Sequence, residues 1–259
     1  MQVRDISRKA TAGRYYLEGL AASQLKPRQG RGGPIQPWFY FMHIEKTAGT
    51  SLLNSFYQVF PQAAVFPNVY QRRKAYMVHH PQWKDVAQNH TDLFFRDLQM
   101  LVGHFGMDPV DHFAIRPQVI TFLRDPVDRL LSAIEFNQQP GRRYDQLGLD
   151  EILAKHAWRE GSLQAQAFGY DPHYKNIDDA LANVESADFI GFIESYSDCL
   201  SRLSTFMQLP IELRAEHRNS SVRKLQPTDE QRELIDHHTA PDRAVFALAR
   251  QRHQAASTH

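Results

Sequence analysis

Residues 38–56 read WFYFMHIEKTAGTSLLNSF, and the fold turns on how this stretch is parsed. Its first part, WFYFMH, is a short apolar run of the length and composition of a buried strand. Its last part continues as SLLNSFYQVF and places Leu52, Leu53, Phe56, Val59 and Phe60 on one helical face. Between them lies His43-Ile44-Glu45-Lys46-Thr47-Ala48-Gly49-Thr50-Ser51, a small polar turn with one lysine and one glycine. Small consecutive residues let backbone N–H groups curl around an anion, and the start of a helix adds further donors and a favourable dipole. Lys46 can reach a phosphate oxygen as a mobile point charge, and Thr47, Thr50 and Ser51 supply hydroxyls, one of them expected to cap the helix. An ordinary capped turn with a solvated lysine fits the same residues. The order differs from the nucleotide-kinase P-loop, where the lysine follows a second glycine.

Working outward, the same alternation returns. LQMLVGH (98–104) reads as a second buried strand, and DPVDHFAI as a short helix capped by Asp108 with Pro109 at its first position. QVITFL (118–123) is the clearest strand, β-branched and apolar. DPVDRLLSAIEF repeats the Asp cap and Pro start, with Val127, Leu130, Leu131 and Ile134 on one face. ADFIGFIE (187–194) is a further strand, followed by a helix through YSDCLSRLSTFMQL. PTDEQRELIDHH and APDRAVFALARQRH read as two C-terminal helices broken at Pro241. Short strands alternating with amphipathic helices predict an α/β fold around a mostly parallel sheet. Ligands of such sheets bind beyond the carboxyl ends of the strands.

The residues following QVITFL are Arg124-Asp125-Pro126-Val127-Asp128-Arg129, with Ser132 further along the helix. Arg124 emerges at the strand end, and Ser132 shares a helical face with Asp125, Arg129 and Phe136. A guanidinium and a hydroxyl converging on one dianion suit a phosphate. Asp125 is expected to cap the helix and to pair with Arg129 one turn on.

Composition narrows the rest. The 259-residue chain is 42% hydrophobic and 23% charged, which predicts a folded domain with a substantial core. A net charge of +1 offers no argument for nucleic-acid binding. The single cysteine, Cys199, rules out an internal disulfide, argues against a cysteine zinc site and reads as a buried small hydrophobe. His79-His80 and His237-His238 are adjacent pairs that cannot face one way on a strand, and no metal is expected. No stretch reaches the ~18 apolar residues of a membrane span, and the N-terminus lacks the apolar core of a signal peptide, so the chain reads as soluble and cytoplasmic. Residues 1–36, with KPRQGRGGP, read as an extension and linker, and 37–259 as the domain. Oligomeric state is not legible.

HIEKTAGTS taken with TFLRDPVDRLLSAIEF (121–136) resembles the sulfotransferases that use 3′-phosphoadenosine 5′-phosphosulfate (PAPS), with the heparan sulfate 2-O-sulfotransferase-like carbohydrate group as the nearest flavour. The resemblance covers about residues 36–235 and implies a P-loop-kinase-like three-layer α/β sandwich. It implies that Lys46, Thr47, Ala48, Gly49, Thr50 and Ser51 hold the 5′-phosphosulfate, and that Arg124 and Ser132 hold the 3′-phosphate. VGHF (102–105) is similar to the Gly-His of glycan sulfotransferases, which makes His104 the general base, with Glu45 and Glu135 as rival carboxylates. Lys46 would meet the charge that develops on the leaving oxygen. RNSSVRKL (218–225) resembles the loop over the nucleotide, giving Arg218, Ser220 and Ser221 as cosubstrate residues, although it also reads as a plain polar loop. Glu45 stands where these loops commonly carry proline. The implied reaction transfers a sulfuryl group to a hydroxyl of a glycan or small molecule, with PAP as product and no metal. Segment 137–175 reads as the acceptor-facing insert, in which Arg142, Arg143, Tyr144, Trp158 and Tyr170 either contact the acceptor or form a packed cap. A kinase on a related fold and a non-catalytic nucleotide- or glycan-binding module are the competing readings.

Overall fold

The computed structural model describes residues 39–60, 64–66, 99–112, 116–209, 213 and 225–257. The extension 1–36, the pair His79-His80 and the candidates Arg218, Ser220 and Ser221 lie outside the described residues.

The strands are β1 (Phe39–Met42), β2 (Val65–Phe66), β3 (Met100–Gly103), β4 (Gln118–Leu123) and β5 (Phe189–Phe192). They form one sheet in the order β2-β3-β1-β4-β5, every described pairing parallel. All four residues of β1 and of β3 are buried. A strand buried on both faces needs cover on both, which is why these runs are continuously apolar rather than alternating. The helices supply that cover: α1 (Gly49–Val59), α2 (Pro126–Asn137), α3 (Leu149–Lys155), α4 (Ala157–Glu160), α5 (Leu163–Ala167), α6 (Asp178–Ser186), α7 (Tyr196–Phe206), α8 (Asp229–His238) and α9 (Ala240–Ser257). The result is the expected three-layer α/β sandwich.

Chain order sets where a ligand can lie. From β1 the chain moves to β2 and β3 on one side of the sheet, then to β4 and β5 on the other. The turns after β1, β3 and β4 therefore meet at the carboxyl edge where the strand order reverses, the usual ligand crevice of such sheets. Thr121 buries its hydroxyl by donating to the Met42 carbonyl at 2.8 Å, tying β4 to β1 next to that edge.

Among the described residues, two hydrophobic clusters hold the elements. The larger surrounds the sheet and includes Cys199, buried as expected. The smaller joins Leu130, Leu131 and Ile134 of α2 to Tyr144, Ile152, Leu153, Ala157 and Ile235. Segment 137–175 is thus largely a helical layer packed on α2 and α8. Tyr144 is fully buried with its hydroxyl donating to Glu160 at 3.2 Å, and Tyr170 is 9% exposed. These two tyrosines serve packing, while Trp158 and Arg142 remain at the surface.

Three local expectations are corrected. The segment from Asp108 forms a 3-10 helix, Asp108–His112. Pro241 lies in the first turn of α9 instead of breaking two helices, because Thr239 separates α8 from α9 and proline is tolerated where the N–H has no partner. Arg129 does not pair with Asp125. It is fully buried and faces Asp242 of α9, with Nε 3.4 Å from the carboxylate.

Candidate active site

The turn after β1 is held in an unusual backbone shape. Lys46 and Ala48 have φ of 68° and 57°, with Thr47 between them on the ordinary side. Left-handed backbone costs a residue with a Cβ about 1–2 kcal/mol. Alternating handedness turns successive N–H groups toward one point, forming an anion-binding nest. The nest runs directly into α1, where Ser51 and Leu52 donate to the Ala48 carbonyl at 3.0 and 3.2 Å and the N–H groups ahead of them precede the helical ladder. No hydroxyl caps that helix: the N-cap is Ala48, which has no oxygen to offer. Thr47, expected among the caps, is buried and donates to the Ile44 carbonyl at 2.8 Å, bracing the turn. Ser51 is buried in α1, and Thr50 is exposed. With neither a side-chain cap nor an acidic residue in the first turn, the N-terminus of α1 presents positive potential to a ligand.

Gly49 has a steric role. A Cβ there would lie 1.9 Å from the His43 ring. The His43 imidazole therefore rests against the start of α1; it also stacks on Phe41 at 5.6 Å and meets His104. Parallel register pairs Met42 with Gly103, so the next residues, His43 and His104, emerge together. The His43 N–H donates to the Gly103 carbonyl at 3.0 Å, and the two ring centroids are 4.3 Å apart. His104 stands half-buried at the carboxyl edge, one strand from the nest. His43, read from sequence as structural, is in ring contact with it.

The turn after β4 has a different construction. Asp125 caps α2 as expected, accepting from the N–H groups of Val127 and Asp128 at 3.0 Å each. Arg124 is gripped through its backbone. The fully buried Gln164 accepts from the Arg124 N–H at 2.9 Å and donates to its carbonyl at 3.0 Å. Glu194 accepts from the Asp125 N–H at 2.6 Å and is itself paired with Arg250 of α9 at 3.0 Å. Behind Gln164 lies Asp242, which accepts from the Ala165 N–H at 2.7 Å and faces Arg129. Arg129 also donates to the Glu160 carbonyl. Its Nε reaches Asp242 at ion-pair distance but without hydrogen-bond alignment. Burial pushes the Asp242 carboxyl up to about 6, and the Arg129 charge works against that rise.

With its backbone fixed, Arg124 directs its side chain to the first turn: Nη1 lies 3.5 Å from the Lys46 carbonyl, a long contact that joins the two strand-end turns. Ser132 is half-buried on α2, one turn before Phe136 on the same face. Lys46 reaches across to that face, with Nζ 3.4 Å from the Phe136 ring centroid. Burial lowers the Lys46 ammonium to about 8; Glu45 and Glu135 oppose the fall, and Arg142 and Arg124 add to it. Glu45 is therefore near enough to help keep the lysine charged. Glu135 accepts from the Leu225 N–H at 3.0 Å, which gives it a structural task.

The arrangement brings together Lys46, Thr47, Ala48, Gly49, Thr50, Ser51, His104 and Arg124 at one edge, with Ser132 about two turns into α2 on the face of Phe136. Sequence reading missed Gln164, Glu194, Asp242, Phe136 and Arg142 as supports of that edge. Among the described residues no group of three or more His, Cys, Asp or Glu is placed to hold a metal ion, and no helix is long and apolar enough to cross a membrane.

No family model and no curated protein matches the chain. Among solved structures, the chain is similar to the crystal structure of a sulfotransferase from Alicyclobacillus acidocaldarius, with a TM-score of 0.50 and 16% identity over 83% of this chain and 96% of that one. At that identity the likeness is one of fold. The architecture that frames the site is of the sulfotransferase type.

Proposed function

We propose that this protein is a sulfotransferase that moves a sulfuryl group from PAPS to the hydroxyl of a carbohydrate or other small hydroxylated molecule. The observation that carries the reading is the convergence of a cationic nest, made by the left-handed turn at Lys46–Ala48, with an arginine whose backbone is clamped at the neighbouring strand end. That pairing suits a ligand with two separate anionic groups. The likeness of fold to a sulfotransferase and the two sequence motifs support the same choice.

In this reading the nest, the N-terminus of α1 and Thr50 bind the phosphosulfate, and Arg124 with Ser132 binds the 3′-phosphate. Arg218, Ser220 and Ser221 complete the nucleotide contacts. The acceptor oxygen attacks sulfur in line, an O–S bond forms, and the bond from sulfur to the bridging phosphate oxygen breaks. His104 takes the acceptor proton. Lys46 meets the charge left on the phosphate oxygen, and PAP departs. Positioning and charge stabilisation are the main tasks of a protein in transfers of this kind.

The test is incubation with labelled PAPS and a panel of glycan and small-molecule hydroxyl acceptors. Lys46→Ala and His104→Ala are each expected to lower transfer by about 10²-fold or more while the protein stays folded. Arg124→Ala is expected to weaken PAP binding measured by calorimetry. Thermal protection by ATP with magnesium but not by PAP would sink the reading in favour of a kinase. PAP binding without turnover on any acceptor would favour a binding module.

A further inference from the structure

Phe136 ends the exposed face of α2 and is 37% exposed. An exposed phenylalanine is ordinarily covered by hydrocarbon or by nothing. Here both faces are covered by charge. Lys46 Nζ lies 3.4 Å from the ring centroid and Arg142 Cζ lies 3.6 Å from it. Contact with an aromatic face begins at about this separation, so each cation sits over the ring centre. Two such groups on one face would overlap, so they occupy opposite faces.

The two cations are held differently. Arg142 is tied to the turn that follows α2: its Nε donates to Gln139 Oε1 at 3.0 Å and its N–H to the Gln139 carbonyl at 3.0 Å. It forms a fixed plate behind the ring. Lys46 comes from the turn after β1 on a flexible four-carbon stem, and the negative face of the ring gives its ammonium one preferred place. That attraction is weaker than a charge-assisted hydrogen bond to a phosphate oxygen. The lysine is thus retained when no anion is present and released to one that arrives.

We propose that Phe136 is a positioning residue for Lys46: its ring, backed by Arg142, holds the ammonium at the α2 side of the turn and yields it to the anionic leaving group on binding. This rests on the role given to Lys46 above. The interaction joins three segments, the turn after β1, α2 and the start of the insert, and so makes the lysine's place depend on both sides of the site.

Reductive dimethylation with labelled carbon keeps the lysine charge and gives each lysine an NMR signal. The Lys46 signal is identified by its loss in Lys46→Arg. It is expected upfield, from the ring current, in the free protein and in Phe136→Tyr, and at the ordinary lysine position in Phe136→Leu. An ordinary position in the free protein, or a signal that Phe136→Leu leaves unmoved, overturns the proposal. Saturating PAP is expected to move the signal away from its ring-shifted place; a signal that stays while calorimetry records binding overturns the hand-over. Failure of PAP to bind at all would instead overturn the sulfotransferase reading and, with it, the hand-over, leaving the ring contact to the Phe136→Leu comparison. In turnover, Phe136→Leu is expected to lower kcat about 10-fold, with PAP affinity within about 2-fold of the parent, and Phe136→Tyr to restore it. Lost PAP affinity with unchanged kcat would assign the ring to cosubstrate packing and overturn the proposal.

Discussion

The turns after β1 and β4 lie side by side at one edge of the sheet and are built on opposite terms. The first keeps two residues with side chains in left-handed backbone and leaves the start of α1 without a side-chain cap. Its lysine rests on an aromatic ring. The second is fastened from behind: Gln164 and Glu194 bond the backbone of Arg124 and Asp125, and α9 holds both through Asp242 and Arg250. Under the proposed function the difference separates two tasks. A group that must meet charge as it develops benefits from open donors and a side chain free to travel. A group that fixes the register of a ligand benefits from a backbone that cannot shift. Strain is tolerated in the first turn because buried β1, paired with β3 and β4, and the packed start of α1 over-determine its ends.

The fastened turn breaks most severely from a distance. Asp242→Ala leaves the buried Arg129 guanidinium without its counter-charge, and a loss of about 3–5 kcal/mol is expected in denaturant unfolding. A loss below about 1 kcal/mol would mean that Arg129 finds water or another partner. Gln164→Leu strips partners from the N–H and carbonyl of Arg124 and should cost about 1–3 kcal/mol, with weaker PAP binding and kcat less affected. Equal loss in kcat and affinity would spread the effect beyond Arg124.

The open turn is sharpened by pH. Burial holds Lys46 near 8, well below an ordinary lysine, so its charge is present below that pH and lost above it. Since that charge belongs to the ligand-free protein, kcat/KM for PAPS should fall about tenfold per unit as pH rises beyond about 8, and a kcat/KM profile flat to about pH 10 would remove the lysine's charge from capture and transfer. The smallest effect belongs to the strain itself. Ala48→Gly relieves the left-handed cost but adds freedom to the unfolded chain, so stability should change by less than about 1 kcal/mol. A larger loss would show that the Ala48 methyl is packed in a way its backbone does not reveal.

The parts that were legible in sequence share a cause. QVITFL became β4 with the same ends, and Asp125-Pro126 began α2, because strand composition and capping are satisfied within a few residues. The turn at 43–51 and Arg124 were singled out as candidates because strand ends are where parallel sheets bind ligands. The capping hydroxyl was misplaced because α1 begins at Gly49, which puts Ala48 at the N-cap and leaves Thr47 one residue outside, donating to the Ile44 carbonyl. The Asp125–Arg129 pair was misplaced because helical spacing says which residues share a face and not what lies opposite that face. Burial decided it: Arg129 turned inward to Asp242.

What the sequence determined by itself was the alternation of buried strands and capped helices, and hence the α/β fold and the edge at which a ligand of such a sheet is expected. These follow from local periodicity and turn chemistry, which a linear chain displays. What only the tertiary structure decided was how that edge is held: Gln164 on Arg124, Asp242 beneath Arg129, His43 against His104, and Lys46 and Arg142 on the two faces of Phe136. Most of these contacts join side chains far apart in the chain, and neither partner's type nor its spacing names the other. They exist because the folded layers bring buried polar groups within reach, where each must find a partner or bear the cost of losing water.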